Sequence, residues 1–272
     1  MTFWGQKTFC IIAGASRGIG RSISIKFSEN VAPGSVFLLL ARTKDALETV
    51  KQEILQAPSN NCKAVIATAL DLSNPNQQAF NEAVSNAFTQ SGTTPSDFQH
   101  SILVQCAASL GIDKGYKVQN IQDVQYIKNY FDFNVTSFIL LNAVFCDLVL
   151  DKKDETSTGR QTTIIHISSH GAVEPFKTWG LYCSARAAKN MLLRSISLES
   201  PNVQTINYAP GMVDTENYKE AEKHTGDPEL VKYFAEQRAS GLLLTPDQTV
   251  TKLVQILATK KYVKGEHISY DD

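Results

Sequence analysis

The chain has 272 residues, of which 43% are hydrophobic and 19% are charged, and its formal net charge is −1. Such a chain can fold around a substantial core, and its charge excludes the broad basic surface of a nucleic-acid-binding or membrane-bound protein. The apolar runs are far shorter than the ~20 residues of a membrane-spanning helix, and five scattered cysteines favour reduced thiols over disulfides. We therefore expect a cytoplasmic protein with no nucleic-acid or membrane partner.

Short aliphatic or β-branched runs alternate with longer amphipathic segments along the whole chain. The predicted strands are Thr8–Ala13, Ser35–Ala41, Lys63–Ala69, Ser101–Cys106, Thr162–Ile167, Val203–Tyr208 and, with a weaker pattern, Glu266–Tyr270. The predicted helices are Ile19–Asn30, Lys44–Gln56, Asn76–Thr89, Ile121–Val149, Tyr182–Leu198 and Thr245–Thr259. Strands that are apolar on both faces and alternate with helices are typical of a parallel sheet that helices cover on both sides. We predict a Rossmann-type, doubly wound α/β fold of about seven strands, forming a single domain over residues 1–272.

Two polar segments interrupt this alternation. Asp151–Gln161 is the most polar stretch and predicts an exposed loop before the fifth strand. Asn217–Gly241 is charged and helical in pattern, and it is inserted between the sixth strand and the last helix. It is a candidate substrate lid, with a plain pair of surface helices as the equal alternative.

A glycine-rich turn joins the first strand to the first helix. Gly14, Gly18 and Gly20 allow positive φ and a close approach of the backbone to a pyrophosphate. The helix that starts near Ile19 directs its N-terminal N–H groups and positive dipole end at such a ligand. The turn therefore predicts a dinucleotide site, while a tight turn without a ligand is the alternative.

Two arginines indicate which dinucleotide this site prefers. Arg42 follows the second strand, where an NAD-dependent enzyme usually has an acidic residue for the ribose hydroxyls, and Arg17 lies in the glycine turn. Two guanidinium groups can hold a 2′-phosphate, so we predict NADPH. Asp71 and Leu72 follow the third strand and are expected to contact the adenine ring. The alternative is that the arginines are solvated surface charges.

Three residues in mid-chain have the spacing of an acid–base site. Tyr182 precedes Arg186 by one helical turn, and Ser169 follows the fifth strand. Reduction of a ketone needs a proton donor, a cation one turn away favours a phenolate, and a serine hydroxyl can donate to the carbonyl oxygen. These residues predict chemistry on a carbonyl group, although a core tyrosine beside an unrelated arginine has the same spacing.

The motifs resemble those of the short-chain dehydrogenase/reductase family, and in particular those of its pterin-reducing members. The matching segments span nearly the whole chain and are Gly14–Gly20, Pro33–Ser35, Asn129–Tyr130, Asn134–Ser137, Ile167–Ser169, Trp179–Cys183, Tyr208–Thr215, Asp227–Leu230 and Gly265–His267. The resemblance implies NADPH-dependent reduction of a pterin side-chain ketone in tetrahydrobiopterin biosynthesis. It also implies a homodimer formed by the helices after the fourth and fifth strands.

The resemblance assigns expected roles to individual residues. Tyr182 is the proton donor, Ser169 orients the carbonyl group, Asn134 holds a water of the proton relay, and Arg186 completes the catalytic set. The expected substrate contacts are Ser169, Tyr182, Gly211 and Ser269. The expected cofactor contacts are Gly14, Ser16, Arg17, Gly18, Ile19, Gly20, Arg42, Asp71, Leu72, Ala107, Tyr182, Arg186, Val213 and Thr215. No metal is expected.

Three positions depart from the family pattern. Arg186 occupies the position of the family's lysine, and a guanidinium keeps the charge but hardly deprotonates. The segment Gln105–Ala108 replaces the usual Asn-Asn-Ala-Gly and adds a methyl group near the adenosine half of the cofactor. Ser269 occupies the position of a C-terminal aspartate that holds the amino edge of the pterin, and Asp271 or Asp272 could substitute for it.

These departures leave three functions open. The first is a pterin reductase in which arginine replaces lysine. The second is an NADPH-dependent carbonyl reductase that acts on another diketone, which the neutral Ser269 favours. The third is a cofactor- or pterin-binding protein with little catalysis, which the joint change of Arg186, Ala108 and Ser269 favours.

Overall fold

The computed structural model describes residues 2–149 and 160–272, and a seven-stranded parallel sheet forms its centre. The strands are β1 (Thr8–Ala13), β2 (Ser35–Ala41), β3 (Cys62–Ala69), β4 (His100–Gln105), β5 (Gln161–Ile167), β6 (Val203–Ala209) and β7 (His267–Ser269). Their order across the sheet is β3-β2-β1-β4-β5-β6-β7. This is the predicted doubly wound α/β fold in a single sheet.

Helices cover both faces of the sheet. The α-helices are α1 (Gly18–Asn30), α2 (Lys44–Gln56), α3 (Gln77–Ser91), α4 (Val124–Phe131), α5 (Ser137–Val149), α6 (Gly180–Glu199), α7 (Glu216–His224), α8 (Pro228–Ala239) and α9 (Pro246–Thr259). Short 3₁₀ turns occupy Pro95–Asp97, Val118–Asn120 and His170–Ala172. The predicted loop Asp151–Gln161 lies outside the described residues up to residue 159, and Gln161 already belongs to β5.

The alternation of side chains along β1 explains why two cores form. Phe9 and Ile11 point into one core, whereas Cys10 and Ile12 point into the other, because successive side chains of a strand face opposite sides. Helices α3, α5 and α6 close the first core, and α1, α2 and α9 close the second. The sheet is therefore buried on both faces, as its apolar strands predict.

The predicted helix Ile121–Val149 is wrong in its start and in its continuity. Asp123 caps α4 by accepting a hydrogen bond from the Tyr126 N–H at 3.0 Å, so the helix begins at Val124. A π-helical turn over Asp132–Thr136 then separates α4 from α5. Such turns insert one extra residue and are frequent at functional sites.

Among the described residues, the stretch from α4 to α5 is the one helical segment that is long and apolar enough to cross a membrane. Val124–Val149 has 26 residues, and its most apolar 18-residue window has a mean hydropathy of 1.4, which is sufficient by length and composition for a membrane span. Its buried side chains nevertheless belong to the first core, where Phe138, Leu141 and Phe145 pack beneath the sheet. In this fold the stretch serves as a core helix.

The start of α1 lies unusually close to the end of β1. A Cβ atom added to Gly20 would overlap the carbonyl oxygen of Gly14 and would lie only 2.8 Å from its carbonyl carbon. Gly14 has φ +89°, a conformation that side chains with a Cβ rarely adopt. The close approach of strand and helix therefore depends on both glycines.

We predict that Gly20→Ala lowers the free energy of unfolding by about 2–3 kcal/mol, because overpacking forces the backbone apart. Urea denaturation measures this loss. The matched control is Ser28→Ala in the same helix, which removes only the local bond of the hydroxyl to the Ile25 carbonyl; we expect a loss of about 1 kcal/mol or less. Equal losses for the two variants would contradict the steric argument.

Candidate active site

The predicted site residues lie at one edge of the sheet. The glycine turn follows β1, Arg42 follows β2, Asp71 follows β3, Ala107 follows β4 and Ser169 follows β5. The segment 211–215 follows β6, and Ser269 is the last residue of β7. Because all seven strands are parallel, their carboxyl ends meet at this edge. The chain direction across the sheet reverses between β1 and β4, which is where doubly wound folds form their ligand crevice.

Backbone contacts form a narrow cradle at this reversal point. The N–H groups of Cys106 and Ala107 donate to the Ala13 carbonyl at 3.0 and 2.9 Å. A Cβ atom on Gly14 would lie only 2.7 Å from the Ala107 nitrogen. On the other side, a Cβ atom on Gly18 would lie 3.4 Å from the Thr215 Cγ2 atom. The turn after β1 therefore touches the segments that follow β4 and β6.

The first turn of α1 leaves its amides open. Arg17 occupies the N-cap position and makes no side-chain capping bond, and the first turn contains no acidic residue. Uncapped N–H groups at a helix N-terminus favour an anionic ligand. Ser16 is half-buried in the same turn, and Ile19 packs against the second core. A Cβ atom on Gly14 would fill this cradle, so the glycine keeps it free of side chains. The open N–H groups of α1 then suit a pyrophosphate.

The two candidate residues after β3 differ in what their side chains contact. The Asp71 carboxylate accepts hydrogen bonds from the Ser73 N–H and hydroxyl at 3.0 and 2.8 Å. These bonds hold the pKa of Asp71 below its usual range, with a smaller contribution from the charge of Arg42. Arg42 itself is exposed, whereas the Leu72 side chain is buried in the first core. Any ligand contact by Leu72 is therefore made by its backbone.

The mid-chain residues come together around Gly171. The Gly171 N–H donates to the Ser169 hydroxyl at 3.1 Å, and a Cβ atom on Gly171 would lie 3.0 Å from the Tyr182 Cε1 atom. Ser169 and Tyr182 thus face the same small residue. The Arg186 guanidinium carbon lies 5.0 Å from the centroid of the Tyr182 ring, a cation–π distance. The spacing that the sequence predicts is therefore realised as a contact.

Asn134 lies in the π-helical turn, and both the oxygen and the nitrogen of its amide make a hydrogen bond. Its Oδ1 atom accepts from the Ser109 N–H at 3.1 Å, and its Nδ2 atom donates to the Tyr130 carbonyl at 3.0 Å. The Tyr130 hydroxyl donates in turn to the Ser109 carbonyl at 3.2 Å. Burial raises the pKa of Tyr130, and the charge of Arg186 acts in the opposite direction. This group therefore lies within electrostatic reach of the Tyr182–Arg186 pair.

Arg186 is buried, with 6% of its surface exposed. Its Nη1 atom donates to the Ile167 carbonyl at 2.6 Å and lies 3.3 Å from the Nε2 atom of His166. In the part of the chain that the structure describes, it has no carboxylate partner. A buried cation without a neutralising charge keeps its electrostatic effect on nearby groups.

Sequence reasoning missed two buried basic residues beneath the pair. His166 is fully buried at the end of β5, and burial, Lys189 and Arg186 together hold its pKa well below the usual range. Lys189 is 1% exposed, and its Nζ atom lies 5.7 Å from the Phe138 ring centroid. Burial and the charge of Arg186 hold its pKa well below the usual range. The sequence does not indicate that these two residues are buried, because a polar residue in a strand or in an amphipathic helix also fits a surface position.

The C-terminal residues lie at the same edge of the sheet, where β6 and β7 end. Gly211 has φ +76°, and a Cβ atom there would lie 3.0 Å from Leu244 and 3.4 Å from the Tyr270 Cβ atom. The Ser269 N–H donates to the Asp272 carboxylate at 2.7 Å. The chain therefore places a carboxylate directly at Ser269, the position where the family pattern has its aspartate.

The segment predicted as a lid or a surface helix pair forms α7 and α8. Tyr218 and Phe234 from these helices join Trp179, Tyr182 and Ile112 in a third apolar cluster. Ring centroids lie 5.1 Å apart for Trp179 and Tyr182 and 5.7 Å apart for Trp179 and Phe234. Helix α8 thus packs against Trp179, which in turn packs against the candidate catalytic tyrosine. Within the described ranges 2–149 and 160–272, no group of three or more side chains could hold a metal ion.

Comparison with known proteins identifies the family. The family model for short chain dehydrogenases matches residues 8–226. Sepiapterin reductases from Mus musculus and Meriones unguiculatus are 32% and 33% identical, and each alignment covers 97% of this chain and 96% of the relative. A benzil reductase from Bacillus subtilis is 25% identical, and the alignment covers 91% of this chain and 92% of the relative.

Solved structures show the same fold. A short-chain dehydrogenase/reductase from Saccharomyces cerevisiae has a TM-score of 0.76 at 24% identity, over 98% of this chain and 96% of that one. An alcohol dehydrogenase from Thermococcus sibiricus in complex with 5-hydroxy-NADP has a TM-score of 0.68 at 21% identity, over 96% of this chain and 95% of that one. The family match and the sepiapterin reductase relatives agree with the sheet order and the glycine turn: the chain belongs to the short-chain dehydrogenase/reductase family and is an oxidoreductase.

Proposed function

We propose that this oxidoreductase reduces a pterin side-chain ketone with NADPH, as a sepiapterin reductase. The observation that carries the proposal is the contact of Tyr182 with the buried Arg186, beside Ser169 and at the same sheet edge as the glycine cradle. The full-length similarity to sepiapterin reductases supports the substrate class.

Each residue has a defined part in this reaction. A nicotinamide cofactor, when bound, would supply the hydride that the carbonyl carbon accepts. The Tyr182 hydroxyl then gives its proton to the carbonyl oxygen, and the Ser169 hydroxyl orients that oxygen by a hydrogen bond. The resulting phenolate faces the Arg186 guanidinium. Asn134, which is held by Ser109 and Tyr130, would position a water that returns a proton to the site.

Arginine in place of lysine changes how a proton can return. A guanidinium does not release a proton in proteins, so Arg186 acts as a fixed charge. The proton must then return through hydroxyl groups and water, not through Arg186. The buried setting compensates in part, because a fixed charge acts more strongly in a medium of low dielectric constant.

The preference for NADPH rests on Arg42 and Arg17. Both are exposed at the sheet edge beside the glycine cradle, and Arg42 is close enough to Asp71 to lower its pKa. An adenosine 2′-phosphate placed there would accept charge-assisted hydrogen bonds from either guanidinium. Gly14, Gly18, Gly20 and the backbone at Ala107 would hold the pyrophosphate half, and Val213 and Thr215 the nicotinamide half.

The pterin would bind between Gly211, Ser169 and the aromatic cluster. A flat ring suits the edges of Trp179 and Tyr182, and the Asp272 carboxylate at Ser269 can accept hydrogen bonds from the amino edge of the pterin. We further propose that α7 and α8 act as the substrate lid over this pocket.

Helices α5 and α6 carry exposed apolar side chains that suit an interface with a second copy of the chain. Ile139 on α5 and Met191 and Leu198 on α6 are exposed apolar side chains, at 43%, 56% and 83%. They support a homodimer through these helices, as the family resemblance implies. The near-neutral charge and five free cysteines support a cytoplasmic enzyme.

The central experiment follows NADPH oxidation by absorbance with the purified protein and sepiapterin. We expect turnover by the wild type and a kcat at least about 100-fold lower for Tyr182→Phe, which lacks the proton donor. NADPH binding, followed by fluorescence, should be retained in this variant. Binding of NADPH without turnover of sepiapterin by the wild type would contradict the proposed function and would favour another diketone or a binding role.

Arg42→Asp is expected to reverse the cofactor preference. Loss of a cation and gain of an anion should raise the KM for NADPH by about 10-fold or more, because the 2′-phosphate loses a charge-assisted bond and meets repulsion. The KM for NADH should fall or stay constant. Lys51→Asp, with the same change in charge further along α2, is the matched control. A similar rise in the KM for NADPH with Lys51→Asp would show that Arg42→Asp acts through the net charge of the protein and would contradict a contact of Arg42 with the 2′-phosphate.

Asp272→Asn is expected to raise the KM for sepiapterin by about 5- to 10-fold with little change in kcat, because a carboxylate accepts hydrogen bonds from amino groups more strongly than a neutral amide does. Steady-state kinetics separate the two constants. Asp271→Asn is the control, since the Ser269 N–H binds Asp272 and not Asp271. A larger rise in the KM for sepiapterin with Asp271→Asn than with Asp272→Asn would contradict the assignment of Asp272 as the pterin anchor.

A further inference from the structure

The end of β5 holds one nitrogen atom of the Arg186 guanidinium. The Arg186 Nη1 atom has two hydrogens and faces two acceptors on β5, the Ile167 carbonyl at 2.6 Å and the His166 Nε2 atom at 3.3 Å. Both hydrogens of Nη1 are thereby directed at β5. The Nε and Nη2 donors take no part in these two contacts.

The neighbours of His166 determine which of its nitrogen atoms carries the proton. The Asn207 Nδ2 atom donates to the carbonyl groups of Asn190 and Gly265 at 3.4 and 3.1 Å. Its Oδ1 atom must therefore face the His166 Nδ1 atom, which lies 3.1 Å away. An amide oxygen only accepts, so Nδ1 carries the hydrogen and Nε2 presents its lone pair to Arg186.

The charges around His166 support the same conclusion. The side chain is fully buried, and its burial, Lys189 and Arg186 all act against its protonation. The Phe138 ring packs edge-on at 5.2 Å. A neutral imidazole in this setting is a fixed acceptor for the guanidinium, held by β6 and by α5.

We propose that His166 is a positioning residue that holds the Arg186 guanidinium against the Tyr182 ring and so allows an arginine to act where a lysine is usual. The inference rests on the proposed function for its catalytic consequence. A planar guanidinium has a rigid fork, and two acceptors on one of its nitrogens fix the direction of the others. An ammonium is a point charge with a single nitrogen atom and needs no such orientation.

A matched pair of substitutions separates positioning from packing. A glutamine side chain places an amide oxygen near the Nε2 position, so His166→Gln keeps an acceptor for Arg186. An asparagine is shorter, so His166→Asn keeps the donor to Asn207 but removes the acceptor for Arg186. Both variants introduce the same amide group into the same buried place.

We expect His166→Asn to lower kcat by about 10-fold or more, since small misplacements of catalytic groups have effects of this order, and to leave the KM for NADPH within about 2-fold. His166→Gln should retain kcat within about 3-fold. In the Arg186→Lys background, His166→Asn should change kcat by less than about 2-fold, because no guanidinium remains to be oriented. Equal losses for the two His166 variants, or equal losses in both backgrounds, would overturn the proposal.

The matched control is His100→Asn. His100 is a second fully buried histidine, whose Nε2 atom lies 2.9 Å from the Thr163 hydroxyl at the opposite end of the strands. This substitution should lower the free energy of unfolding without changing kcat. A fall in kcat as large as that of His166→Asn would show that loss of any buried imidazole in this sheet affects the site.

A second readout keeps this test distinct from the test of the proposed function. Rates are measured with both sepiapterin and benzil, and urea unfolding is measured for the two single variants and the double variant. We expect His166→Asn to destabilise the protein more when Arg186 is present than in the Arg186→Lys background. Absence of turnover by the wild type contradicts the proposed function, whereas additive unfolding free energies overturn the contact itself.

Discussion

A buried guanidinium is the constraint around which the candidate site is built. Arg186 has no carboxylate partner among the described residues, so its charge is stabilised by two neutral acceptors on β5 and by the face of Tyr182. Removing a cation from water is costly unless its donors are satisfied. This requirement fixes α6 against β5 at the level of Tyr182, and it leaves a positive charge beside the hydroxyl that would become a phenolate.

The parallel sheet explains why residues so distant in the chain can meet at this charge. Strands β1, β4, β5 and β6 end at the same edge, and each is followed by a segment that contributes to the site. The order of the sheet opens a crevice between β1 and β4. Gly14 and Gly20 then remove the side chains that would otherwise fill it, since a Cβ atom at either position would collide with backbone atoms. Topology sets the location of the crevice, and the two glycines keep it open.

The sequence predicts the elements well wherever local pattern determines them. The bounds of β1, β2 and α2 were predicted to the residue, and the glycine turn lies where its spacing indicates. The π-helical turn could not be predicted, because Asn134 is held by Ser109, 25 positions earlier. The partner of Arg186 was missed for the same reason: His166 is 20 positions away and becomes a neighbour only when α6 packs on β5. The roles of the site residues themselves stay predictions.

The Tyr182 ring connects the charge to the helices above it. Arg186 lies over the ring, while Trp179 packs against it at 86° and Phe234 of α8 packs against Trp179. Arg238 of α8 also binds the Glu222 carboxylate of α7 and Asp214, next to Thr215, at 2.8 and 3.1 Å. The two helices are therefore tied to the loop after β6 as well as to the tyrosine. Because the effect of a charge weakens as water enters, the strength of the Arg186–Tyr182 interaction depends on this apolar cover staying in place.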